Sequence, residues 1–166
     1  MNDSEIRAAY REHKDAVYRF AWRMTGSKAT AEDIVQDCFT VLLRRPDAYD
    51  PARAPLRPFL LAMARNLAWK RWRTEQRWDA LEDDACAVEP IDPSSGQISD
   101  LVGRAVQSLP PLQREALVLF EYDGLSLEEI ARTVEAEVGT VKARLHRARE
   151  NLRRMLKGVR YGTVER

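Results

Sequence analysis

Between Val138 and Arg160 lie eight lysines and arginines and a single acid, Glu150, on a repeat whose other side is apolar. On a helical wheel of about 100° per residue, Val138, Val141, Leu145, Ala148 and Leu152 share one face. Lys142, Ala143, His146, Arg147, Arg153 and Arg154 point away from it. Cations at this density suit a polyanion groove, where they neutralise phosphates and reach base edges. A basic amphipathic helix alone would serve as well to bind an acidic protein, so the preceding residues decide. Ser126 and Glu129 form a capping box that starts a short helix with Ile130, Ala131 and Val134 on its inner face. Ala131 is small enough to let that helix approach the next one closely. Capped helix, tight turn and basic helix together read as a helix-turn-helix shaped to sit on DNA. Before it, Leu109-Pro-Pro-Leu112 opens a helix with proline in its first turn, Leu117, Val118, Phe120 and Tyr122 carry its apolar load, and Asp123-Gly124 ends it.

A second constellation lies near the middle of the chain. With Leu60 at zero on the wheel, Met63, Ala64 and Leu67 fall within roughly 60° of it, whereas Arg65, Trp69, Trp72 and Arg73 fall on the far side. Indoles interleaved with cations suit unpaired bases, because aromatic rings stack on any base and cations follow the phosphates. The competing reading is that one or both tryptophans pack against the linker or a neighbouring domain. Nothing suggests covalent chemistry: His13 and His146 sit in distant parts of the chain without a neighbouring nucleophile, and Glu32, Asp33 and Asp37 have no metal-binding histidine beside them. No enzyme activity, cofactor or metal is therefore expected. Cys38, in an apolar stretch, and Cys86, in an acidic one, have no partner at metal spacing, and Cys38 reads as core packing.

The elements that carry these residues follow from charge and periodicity. The net charge of +1 over 166 residues divides into +5 for residues 1–73, −7 for 74–100 and +3 for 101–166. Two basic bodies thus flank an acidic strip, and Pro90, Pro93, Ser94, Ser95 and Gly96 keep the middle of that strip from being a regular helix. Three apolar repeats mark three helices in the first body: Val17, Phe20, Ala21 and Met24; Ile34, Val35, Cys38, Phe39 and Leu42; Leu60, Met63, Ala64 and Leu67. Gly26-Ser27 closes the first, and Thr30 is the expected N-cap of the second. Pro46, Pro51, Pro55 and Pro58 make a stiff loop into the third. The expected fold is all-α, a three-helix and a four-helix bundle joined by an acidic linker. Neither a secretion signal nor an apolar run of membrane-spanning length is read, so a cytoplasmic location is expected.

Three motifs, in order, resemble the extracytoplasmic-function (group 4) class of bacterial RNA polymerase sigma factors. Ala31-Glu-Asp-Ile-Val-Gln-Asp37 is similar to the family's core-binding helix in region 2, and Phe59-Leu-Leu-Ala-Met-Ala-Arg-Asn-Leu67 to its promoter-melting helix. Leu109-Pro-Pro-Leu-Gln-Arg114 through Gly139-Thr-Val-Lys-Ala-Arg-Leu-His-Arg-Ala-Arg149 is similar to region 4. The resemblance implies region 2 over residues 1–80, an acidic flexible linker over 81–97 and region 4 over 98–166. It implies core polymerase binding through Asp33, Val35, Gln36 and Asp37, acids that would otherwise be a solvated face. It implies capture and melting of the minus-10 element by Asn66, Arg65, Trp69, Lys70, Trp72 and Arg73, with Asn66 and the loop from Asp47 to Arg57 holding a flipped base. Asn66 would otherwise bond the loop backbone. Thr140, Lys142, Ala143, His146 and Arg147 take the positions that read the minus-35 element, and Arg144, Arg149 and Arg153 take phosphate positions.

Implied partners are core RNA polymerase, promoter DNA and an anti-sigma factor, with a monomer when free. The linker would run through the RNA exit path as a nucleic-acid mimic. No further domain is expected past Arg166, leaving regulation to a separate protein or to expression level. Two departures stand out: Glu135 and Glu137 occupy places where the family has glycine and often proline in the turn of its helix-turn-helix, and Ala143 replaces a common serine. A non-glycine at a left-handed position costs about 1 kcal/mol.

Overall fold

The computed structural model describes residues 1–74, 90–94 and 96–159. Most of the expected linker, including Cys86, lies outside the described residues, which contain seven α-helices and no strand.

Helix α1 (Asp3–Thr25) begins at an Asn2/Glu5 capping box and ends at Gly26, whose φ of 70° is the left-handed C-cap that glycine adopts without strain. Helix α2 (Lys28–Arg44) starts one turn earlier than expected. Its N-cap is Ser27, whose hydroxyl accepts from the Thr30 amide at 3.2 Å, and Thr30 lies inside the helix. A 3-10 turn, Pro46–Ala48, opens the loop, and α3 (Leu56–Thr74) takes Pro58 into its first turn, where proline's missing amide hydrogen is no loss. These three helices form the first bundle. Val17, Phe20, Met24, Ile34, Cys38, Leu42 and Leu60 are all buried in its core.

The second bundle has the expected four helices. Helix α4 (Ile98–Ser108) leads to α5 (Pro111–Leu117), which runs into a π-helical turn, Val118–Tyr122. The wider turn redirects the side chains: Val118 and Leu119 are buried, Phe120 is half-buried and Tyr122 is exposed. The expected apolar load of Phe120 and Tyr122 therefore falls largely on Leu119. Helix α6 (Leu127–Thr133) has the expected Ser126/Glu129 capping box, and α7 (Val138–Met155) follows. Glu135 stands between them with φ of 54°, the only non-glycine among the described residues with positive φ. Residues 90–94 run beside the end of α7, where the Ile91 amide donates to the Met155 carbonyl at 2.9 Å and Pro93 meets Gly158.

The bundles are packed together. Helix α3 touches α6, and α1 touches α4, α5 and the π-turn, so one hydrophobic core runs through both.

Candidate nucleic-acid interface

Helix α3 carries the residues expected to hold unpaired bases, and the structure divides them into two stripes. Asn66, Lys70 and Arg73 are exposed side by side. Arg65, Trp69 and Trp72 form the adjoining stripe, covered by the second bundle. Trp72 is only 5% exposed, and Leu61 and Ala68 beside it are fully buried. The indoles do face away from the core that Leu60 enters, but the reading that leaves them open for bases gives way to the competing one, packing against a neighbouring domain: α3 packs against α1 and α2 on one side and against the second bundle on the other. Its buried arc therefore continues about 120° round the wheel from Leu60 to Trp72.

Glu115 of α5 is the centre of that second contact. It is completely buried, and its carboxylate accepts from Arg65 Nε at 2.8 Å, Arg65 Nη2 at 3.1 Å and Trp69 Nε1 at 2.9 Å. The Arg65 guanidinium lies 4.9 Å from the Trp69 ring centre, and the Trp69 and Trp72 rings meet edge to face at 5.6 Å. The two-pronged arginine contact is the strong geometry for a carboxylate or a phosphate. Arg114, next along α5, donates to the carbonyls of Leu109 and Met24, so it also satisfies the last turn of α1.

A second acid repeats the pattern at the end of the π-turn. The Asp123 side chain is 4% exposed, and its Oδ1 accepts from Arg57 Nη2 at 3.4 Å. Arg57 Nε and Asp123 Oδ2 are buried without a hydrogen-bond partner. Burial pushes the Asp123 carboxyl up to about 6, against the pull of Arg57, Arg23 and Arg19, all from the first bundle. The Arg23 guanidinium stacks 3.9 Å from the Tyr122 ring centre. The proline loop that feeds α3 lies against α6 across a cleft of about 140 Å³ lined by Pro55, Pro58, Phe59, Ala62 and Arg132.

Helix α7 differs. Val141, Leu145 and Ala148 are buried as expected, while Val138 and Leu152 are half-buried. Lys142, His146 and Arg153 are exposed, and Thr140, Ala143, Arg144, Arg147 and Arg149 are half-buried. Arg149 meets Glu121 at 3.2 Å and Arg153 meets Glu150 at 2.9 Å, both exposed pairs. Inside the bundle, Asn151 Nδ2 donates to Gln113 Oε1 at 2.7 Å, a buried amide pair that fixes α7 on α5.

On α2, Asp33, Gln36 and Asp37 are exposed, with Arg71 of α3 reaching Asp33 and Asp37 at 3.7 Å each. Val35 is buried at the floor of a groove of about 930 Å³ between α1 and α2, whose rim carries the exposed Tyr10 and Leu43. Those two aromatic and aliphatic rim residues were missed in the sequence because periodicity assigns apolar residues to the core. The Cys38 thiol is pushed up to about 12 by burial and by the neighbouring Asp37, which makes it unreactive. Among the described residues no group of His, Cys, Asp and Glu is arranged to hold a metal, and no helix is long and apolar enough to cross a membrane.

Comparison with known proteins gives two family matches, Sigma-70 region 2 over residues 9–78 and Sigma-70 region 4 over residues 99–152. The ECF RNA polymerase sigma factor SigE of Mycolicibacterium smegmatis is 38% identical over 152 residues, 86% of this chain, which spans 58% of that relative's length. SigW of Bacillus subtilis, another ECF RNA polymerase sigma factor, is 31% identical over 160 residues, covering 87% of this chain and 85% of SigW. Among solved structures, the sigma factor RpoE from Bartonella quintana, crystallised with the anti-sigma factor NepR, superposes with a TM-score of 0.71. That match is 28% identical and covers 98% of this chain and 99% of RpoE.

Proposed function

The chain belongs to the extracytoplasmic-function sigma factors of RNA polymerase, and from that membership we propose a division of labour among its helices. As a sigma factor it binds core RNA polymerase and directs it to promoters. In our reading α2 seats on the polymerase through Asp33, Gln36 and Asp37 at the edge of the α1–α2 groove, with Val35 supporting that surface from beneath. Helix α7 lies in the major groove of the minus-35 element, where Lys142, His146 and Arg147 reach base edges beside Thr140 and Ala143, and Arg144, Arg149 and Arg153 hold phosphates. Helix α3 receives the separated minus-10 strand. Asn66 can pair a base edge through its amide, and Lys70 and Arg73 follow the backbone on the stripe already open. Arg65, Trp69 and Trp72 would join them once uncovered.

The observation that carries this reading is the order of the two family matches on one chain, with the capped α6, a short turn and the basic α7 in the second. It favours a polymerase subunit over a free-standing helix-turn-helix regulator. We assign parts of the mechanism to residues 1–80, 81–97 and 98–166, with no covalent chemistry and no cofactor, in the cytoplasm. The solved relative held by an anti-sigma factor is the ground for proposing that such a protein sequesters this chain, otherwise a monomer. Run-off transcription with purified core polymerase over a promoter library tests the proposal. New start sites dependent on the added chain are expected, and no association with core together with unchanged initiation would refute it.

A further inference from the structure

Glu137 occupies the N-cap position of α7, the helix that our functional reading lays in the major groove, and it is exposed. Its backbone is extended, with φ of −71° and ψ of 149°, and its side chain makes no capping bond to the first-turn amides. Nor does its carboxylate form an ion pair among the described residues. The turn that follows is bare. Gly139 is exposed, and a Cβ placed on it would meet nothing within 4 Å. Val138 and Thr140 are half-buried, and the next cation, Lys142, lies more than a helical turn further along. Glu137 is thus the only ionised side chain at the leading end of this helix.

We infer that Glu137 is a specificity-determining residue that selects cytosine at one position of the minus-35 element. The leading residues of a recognition helix are the ones that meet base edges, so a long, exposed side chain at this place has them within reach. A carboxylate can only accept hydrogen bonds there. In the major groove the donors are the amino groups of cytosine and adenine, whereas guanine and thymine present acceptors that repel it. Cytosine offers its N4 amino group alone, and adenine sets the N7 acceptor beside its donor, so cytosine is preferred. Phosphates repel the same charge, and Glu137 therefore costs affinity on every sequence that supplies no donor at this place. Selection works twice, through the bond to cytosine and through repulsion from its competitors. The helix dipole favours an acid at this end, which makes the residue tolerable in the fold but discriminates among no bases.

The inference rests on the assignment of α7 to the minus-35 element, and the test separates the two. Holoenzyme assembled from core polymerase and the full chain transcribes a promoter library randomised over the upstream element, and base frequencies among the transcribed members are read position by position. The parental chain is expected to favour cytosine about ten-fold over guanine or thymine at one position. Glu137→Gln keeps the length and shape of the side chain but pairs with adenine through one donor and one acceptor. The preference therefore moves from cytosine to adenine at that position and nowhere else. Glu137→Ala abolishes it. Glu135→Ala removes the same charge from the exposed left-handed turn two residues earlier and leaves every preference in place. Arg147→Ala is expected to change a different position of the element.

If Arg147→Ala alters selection within the upstream element while Glu137→Gln and Glu137→Ala leave every position as in the parent, the cytosine contact is wrong and the placement of α7 stands. A matching change in Glu135→Ala and Glu137→Gln would assign the effect to charge alone and overturn the contact equally. If no variant, Arg147→Ala included, alters selection in that element, the placement of α7 falls and the contact with it.

Discussion

Helices α3 and α7 are both basic, and both are assigned to DNA, but one is half covered and the other is open. Helix α7 packs a single face on its own bundle, and its Arg149 and Arg153 meet the exposed acids Glu121 and Glu150. Such pairs are worth about 0–1 kcal/mol and are readily exchanged for phosphates. Helix α3 packs two faces, and its inner cation Arg65 is held by a carboxylate with no solvent exposure. The helix we assign to duplex DNA therefore keeps its outer residues accessible in the free chain, whereas the helix we assign to the separated strand is partly covered. A promoter offers duplex before it offers separated strands, so under that assignment the more accessible helix is the one needed first.

The sharpest way to break the comparison is to treat the two stripes of α3 alike. Trp72→Ala removes a buried indole and is expected to cost about 3–5 kcal/mol in denaturant unfolding. Lys70→Ala, on the exposed stripe two residues away, is expected to stay within about 0.5 kcal/mol. Similar losses for both would mean that Trp72 is not covered in solution.

On the open helix, Arg147→Ala should reduce initiation at promoters with an intact upstream element by about 1–3 kcal/mol while core binding stays unchanged. A fall in core binding instead would remove that face of α7 from DNA recognition. The parallel change on α3 is Asn66→Ala, which should impair strand opening more than closed-complex formation, as read by base reactivity in the melted strand. Equal loss of both would remove Asn66 from that role.

What the sequence revealed follows the same divide. Val17, Ile34, Cys38, Val141 and Leu145 each satisfy one helical period against one neighbour, so spacing alone located them. The Ser126/Glu129 cap was legible because its two partners are three residues apart. Trp69 and Trp72 were ambiguous because their cover is α5, more than forty residues away, and no periodicity in α3 encodes a second neighbour. Glu115 was missed altogether. It is an acid between Arg114 and Ala116 that local pattern assigns to solvent, and only the distant Arg65 and Trp69 make its burial tolerable. The π-turn also escaped detection, since its effect is to exchange Tyr122 for Leu119 by a shift in register that residue types do not announce.

Asp123 sharpens the comparison through pH. Its carboxyl takes up a proton near 6 in the folded chain, above the ordinary value of 3.8. Between those values the folded state holds the extra proton. The stability contributed by this group is therefore present below about pH 4 and is lost as pH rises through about 6. Asp123→Asn cannot ionise and should be about 1–2 kcal/mol more stable than the parent at pH 7.5, with the gap closing by pH 4 in parallel melts. A variant less stable than the parent at pH 7.5 would mean that attraction to Arg57, Arg23 and Arg19 outweighs the cost of burial.

The smallest effect isolates the turn that orients α7. Glu135 sits at φ of 54° and is exposed, so its side chain gains no packing in return for the left-handed backbone. Glu135→Gly should stabilise the chain by about 1 kcal/mol, the usual cost of that conformation for a residue with a Cβ, less what glycine loses in unfolded-state entropy. Glu135→Ala separates strain from charge, because alanine retains the Cβ and lacks the carboxylate. If strain dominates, alanine leaves stability where it was and only glycine raises it. Both substitutions remove a negative charge beside the DNA-facing helix, so both should tighten duplex binding by a similar factor that shrinks as salt is added. Equal stabilisation by alanine and glycine would instead assign the cost at this turn to repulsion between Glu135 and Glu137, leaving the backbone unstrained.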